Sequence, residues 1–155
     1  MSLPALSIAQ PRQVATKLFG TLDVEAEHVL HATEGLCGFP ACHEWVLLDG
    51  ARAGTAWLQS VEHPTLAFLL ADPFTAFEGY AVDRAQTELD RLGADEASEI
   101  AVFGIVTLPL QAGEPASVNL AAPLVIDVDA RRVVQVIISD GRWSVRANLP
   151  ASLLG

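Results

Sequence analysis

Positive charge is the scarcest thing in this sequence. Lys17 is the only lysine, eight arginines accompany it, and 19 acidic residues oppose them, for a formal net charge of −10. Nucleic acid is held through clustered cations on its phosphates, so direct nucleic-acid binding is set aside. An acidic surface instead draws a basic protein partner and speeds encounter with it; it also keeps an apolar chain dissolved. Long apolar runs are missing as well. Stretches such as Leu66 to Ala71 are short, and none approaches the roughly 20 residues of a spanning helix. No membrane span is expected, and with no basic start or apolar core of a secretory signal, the expected compartment is the cytoplasm. Cysteine is sparse: Cys37 and Cys42 would close only a tiny loop, so reduced thiols are the expected state.

What is present suits one filled domain. The 155 residues are 51% hydrophobic and 18% charged, a globular composition in a chain long enough to bury a core without a metal or disulfide. Residues 1–12, with Pro4 and Pro11, read as a loose leader, and 13–150 as the domain. Short strands follow with turn punctuation: Val14 to Leu18 and Thr21 to Val24 about Gly20, Val29 to Ala32, Glu44 to Leu48 and Thr55 to Val61 about the Asp49-Gly50 turn, and Leu66 to Ala71. Glu34 to Pro40, with two glycines and a proline, breaks regular structure between them. Ile100 to Leu108, Val118 to Leu120, Leu124 to Val128, Val133 to Ser139 and Trp143 to Ala147 complete the set. One short helix is predicted over about 84–92, with Asp83 as N-cap, Gln86 three residues on and Gly93 at its end. About ten strands and one helix predict a mostly β fold: a small antiparallel β-barrel-like single domain rather than a βαβ fold.

Chemistry-bearing constellations are thin. Ser60 and His63 are near in sequence, but no strand–turn–helix elbow surrounds the serine. Cys37, Cys42 and His43 could supply three metal ligands, but a structural zinc site needs a fourth, for which His28 or His31 is the candidate. The blander reading makes Cys37 a small buried hydrophobe and Cys42 a turn residue. Asp127 and Asp129 could hold a cation or simply end a strand. Trp45, Trp57 and Trp143 are too dispersed for a base-stacking platform. No catalytic residue, metal or cofactor is assigned. A metal- or ligand-binding β-barrel stands as the alternative to a protein-binding domain.

Four segments, in order, carry a resemblance. Phe19-Gly20-Thr21-Leu22-Asp23-Val24 is followed by Glu34-Gly35-Leu36-Cys37-Gly38-Phe39. Then come Leu58 to Phe68 with Asp72-Pro73-Phe74, and Val118 to Ile126 with Gln135-Val136-Ile137. This set is similar to the FliW family of bacterial flagellar assembly factors, with Cys37 where the family places a proline. The resemblance implies a small β-barrel-like domain without catalytic activity that binds flagellin in the cytoplasm. It also implies antagonism of CsrA, a dimeric RNA-binding translational repressor, by an indirect, allosteric route. Residues 78–99 hold seven acids and two arginines, half of the chain's net negative charge. Glu88, Asp90, Asp95 and Glu96 are therefore the candidate contacts for a basic partner. Phe74 and Phe77 are the candidates for flagellin, on the ground that chaperones of secreted helices present apolar positions.

Overall fold

Alternating apolar residues turn one side of each strand inward, and the sheet they form rolls until its ends meet. The computed structural model describes residues 11–36, 38–82, 99–139 and 141–150. A hairpin comes first, β1 (Arg12–Thr16) against β2 (Gly20–Val24). A 3₁₀ turn at Ala26–His28 leads into β3 (Val29–His31), then β4 (Glu44–Asp49), β5 (Thr55–Ser60) and β6 (Ala67–Ala71). After the one-turn helix α1 (Pro73–Ala76) come β7 (Ile100–Thr107), β8 (Ser117–Asp127), β9 (Arg132–Gln135) and β10 (Ala147–Asn148). Strands β3 to β8 pair antiparallel in sequence order, β9 pairs with β8, and β9 also meets β3, so the sheet closes. The closing seam is thin and parallel, a single pair His31↔Arg132 with the His31 amide donating to the Arg131 carbonyl at 2.8 Å. Arg131 adopts a left-handed φ of 59° there, and its guanidinium donates to the Ala26 carbonyl at 3.0 Å.

The mostly β, barrel-like fold is as the sequence predicts. Leu30, Trp45, Leu58, Leu70, Leu124, Ile126 and Val133 fill the interior, with Phe68 and Phe103 packed on them. It is a packed core, as small barrels require. Val14, Val24, Val29 and Val46 form a second layer where the hairpin lies on the outside of β3 and β4. The hairpin is tied down by the bidentate pair Arg12–Glu44, at 3.0 and 3.2 Å, and by the Lys17 amide on the Pro64 carbonyl. The hydrogen bonds and opposite charges of the Arg12–Glu44 pair raise the Arg12 pKa and lower that of Glu44.

Two local differences from the sequence reading have clear causes. Val118 to Leu120 and Leu124 to Val128, expected as separate strands, are parts of one β8. Pro123 is tolerated because the ladder is already broken there. Between the pairs Phe103↔Leu124 and Ile105↔Asn119, β7 advances two residues while β8 covers five. The Asn119 Oδ1 accepts from the amides of Ala121 and Ala122, satisfying groups that the bulge leaves unpaired. The helix α1, unpredicted, had its signal in Asp72-Pro73: the Asp72 carboxylate accepts from the Phe74 amide and Pro73 opens the turn. The helix expected over 84–92 lies outside the described residues.

A smaller core sits where α1 and the C-terminal segment meet. Tyr80 lies among Ala71, Val106, Val118, Leu120 and Leu149, with Trp143 4.7 Å away and Phe74 at 5.4 Å between ring centroids. Its hydroxyl donates to the Leu120 carbonyl at 2.9 Å, and burial pushes its pKa up to about 12. A phenol ionises near pH 10 in an unfolded chain. The folded state favours the neutral form, so this contribution is complete below pH 10 and fades as the pH rises toward 12. Tyr80 is the only tyrosine, so tyrosinate absorbance reports it directly. Tyr80→Phe should cost about 1 kcal/mol at neutral pH and flatten the loss of stability between pH 10 and 12, read from urea midpoints across that range. An unchanged alkaline slope would remove Tyr80 from the account.

Candidate functional site

Three of the four sequence segments meet at one end of the barrel. The loop from Ala32 to His43 joins β3 to β4 there, the turn from Val61 to Leu66 joins β5 to β6, and the tip of the β1–β2 hairpin bonds to Pro64. Glycine permits the first of these. Gly35 has φ +69° and brings the Pro40 backbone within 2.5 Å of where a Cβ would stand. Leu36 and Phe39 then pair across the loop, amide to carbonyl, at 3.3 and 2.7 Å. The turn is held from inside by Gln59, which is fully buried. Its Nε2 lies 3.0 Å from the Ser60 carbonyl, 3.2 Å from that of Leu66, 3.3 Å from that of Pro64 and 3.4 Å from that of His63. Sequence reading passed over Gln59; the signal was a lone amide inside an apolar strand. Between loop and turn lies a cavity of about 280 Å³ lined by Phe39, Cys42, His63, Thr65 and Leu66. Phe39 meets Phe68 edge-on at 5.6 Å, Phe68 meets Trp45 at 5.6 Å, and the Trp45 indole donates to the Cys42 carbonyl at 3.2 Å. An aromatic ladder thus runs from the half-exposed Phe39 into the core.

The geometry assigns ordinary structural roles to most of the chemistry-bearing residues. Ser60 is fully buried, and its hydroxyl oxygen accepts from the amides of Glu62 and His63, capping the turn. Cys42 is a buried free thiol. Burial, and after it the charge of Glu62, pushes its pKa up, away from a reactive thiolate. Nδ1 of His43 lies 2.9 Å from the Ala32 carbonyl, and Cys37 lies outside the described residues. Among the described residues no three His, Cys, Asp or Glu side chains gather as metal ligands. Asp127 is buried and accepts from the Ala130 amide, so it caps the β8–β9 turn, while Asp129 is exposed beside it.

Of the partner-contact candidates, Phe74 is half exposed on α1, and Phe77 packs against the second core. Glu88, Asp90, Asp95 and Glu96 fall outside the described residues. No helix among the described residues is long and apolar enough to cross a membrane.

The class these features define is a small closed β-barrel with a filled interior, a clamped hairpin and an apolar mouth built from the ordered segments. The chain belongs to the FliW family: the family model described as FliW protein matches residues 13–149. A flagellar assembly factor FliW from Treponema denticola is 30% identical over 141 residues, covering 91% of this chain and 95% of that protein. One from Caldicellulosiruptor bescii is 31% identical over 139 residues, covering 90% and 91%. A solved crystal structure of the flagellar assembly factor FliW superposes with a TM-score of 0.80 at 29% identity, over 88% of this chain and 96% of that one.

Proposed function

We propose that the chain is a cytoplasmic flagellar assembly factor that binds flagellin and antagonises the translational repressor CsrA. Flagellin bound to it leaves CsrA free to repress flagellin translation. Secretion of flagellin releases the chain, which then relieves the repression. No catalytic step is involved.

The observation that carries this reading is the family match, which runs from the hairpin through β10. The net charge of −10 supports it, because a basic RNA-binding protein is the partner such a surface attracts. In this reading Glu88, Asp90, Asp95 and Glu96 face CsrA, and Phe74 and Phe77 serve flagellin.

Purified full-length chain mixed with flagellin and, separately, with CsrA should give a complex in each case on size-exclusion chromatography. The CsrA complex should weaken by about tenfold or more between 0.01 and 0.15 M salt, as the Debye length falls from about 30 to 8 Å. Charge reversal across residues 88–96 should weaken CsrA and spare flagellin. Failure to bind either protein would refute the reading.

A further inference from the structure

Strand β3 is too short for the strand beside it. It pairs with β4 only through Val29↔Val46, Leu30↔Trp45 and His31↔Glu44, so the second half of β4, Leu47 to Asp49, has β5 on one side and no strand on the other among the described residues. Strand β2 has the same deficit. It pairs with β1 and with no other described strand. These two unpaired strand edges border one groove of about 300 Å³, lined by Leu22, Asp23, Val24, His28, Val46, Leu47 and Leu48. Its floor is apolar, and Leu47 remains 36% exposed in it.

An unpaired edge is a row of backbone donors and acceptors set at strand spacing. A helix satisfies its backbone internally and leaves such a row unmet, whereas an extended segment completes it. The rim selects by charge. Asp23 lines the groove, and the exposed Glu25, Glu27 and Asp49 stand next in the chain to its lining residues Val24, His28 and Leu48. Against these four acids stand Arg131, whose guanidinium is bonded to the Ala26 carbonyl between Glu25 and Glu27, and Arg52 in the turn after Asp49. A second copy of this chain, itself carrying −10, is a poor occupant. A cationic segment is a good one.

We propose that this groove takes an extended segment of a protein partner, with alternating apolar and basic residues, that adds to the edge of β4 in the line where β3 stops. The proposal rests on reading the chain as a protein-binding factor, and it adds a contact on the hairpin side of the barrel to those proposed at residues 88–96.

The probe is a short synthetic peptide of alternating valine and lysine. Its control has the same charge but is interrupted by proline, which cannot pair. The first peptide should bind full-length chain saturably and slow amide exchange at residues 22–24 and 47–49, and the control should not. Asp23→Lys and Leu47→Arg, both at exposed positions, should each weaken binding by about tenfold while leaving the melting temperature near that of the parent. Equal binding of both peptides, protection elsewhere, or variants that bind unchanged would overturn the proposal. Flagellin and CsrA are assayed on the same preparations. Peptide binding without either partner would sink the assembly-factor reading and leave the groove standing; partner binding without protection at 22–24 and 47–49 would do the reverse.

Discussion

Gly35→Ala should destabilise the domain by about 2–5 kcal/mol, far more than the same change three residues later. Two costs add. The left-handed φ of +69° charges any residue with a Cβ about 1–2 kcal/mol. The new methyl would also stand 2.5 Å from both Cα and O of Pro40 and 2.6 Å from the Phe39 carbonyl oxygen. These are backbone atoms and cannot swing away, so the loop must shift, at about 1–3 kcal/mol for such overpacking. Gly38 is the internal control. Its φ is +87° and nothing lies within 4 Å of its added Cβ, so Gly38→Ala pays the backbone term alone. Urea midpoints for the two variants separate strain from collision, and equal losses would mean that the Pro40 backbone yields. The same shift would pull Phe39 from Phe68 and open the barrel mouth, so partner binding measured on Gly35→Ala also tests whether the mouth is a contact.

That loop shows how far the sequence could be read. Two glycines and a proline within Glu34 to Pro40 announced a break, and the break is there. That Gly35 permits a close approach while Gly38 only bends depends on where Pro40 returns, which no local pattern encodes. The strands were legible because their alternation is local: Trp45 inward and Val46 outward follow from the period of two. Where the barrel closes was not, since the His31↔Arg132 seam joins residues about a hundred positions apart through one parallel pair. The continuity of β8 through Pro123 was hidden for a similar reason. Proline ends a strand unless a bulge removes the need for its amide, and that bulge is set by how β8 pairs with β7. What Gln59 and Ser60 hold was not legible, because their partners are carbonyls and amides of the turn itself. The acids were legible as a count of charge and not as a place. Asp23 and Leu48, distant in sequence, line one groove because the hairpin packs against β3 and β4.

The other large effect is at the centre of the barrel. Trp45 has no solvent exposure, touches Phe68 and donates its indole N–H to the Cys42 carbonyl. Trp45→Ala removes the largest fully buried side chain from a core whose strands are fixed by hydrogen bonding and cannot collapse far into the gap. The expected cost is about 3–5 kcal/mol, a large part of the roughly 5–15 kcal/mol that holds a domain together. For a chain of this length it lowers the melting temperature by about 10 °C. Trp45→Phe keeps a ring against Phe68 and loses the donor to Cys42, so it should cost much less. The pair divides the loss between volume and hydrogen bond, and a phenylalanine variant as unstable as the alanine one would assign most of it to the Cys42 bond. The functional consequence follows from position. Trp45 anchors the inner end of the ladder that reaches the mouth through Phe68 and Phe39, and it lies on the opposite side of β4 from Val46 in the hairpin layer. At a temperature where Trp45→Ala remains folded, a partner seated at the mouth should bind more weakly, whereas one paired to the free edges of β2 and β4 should bind nearly as before.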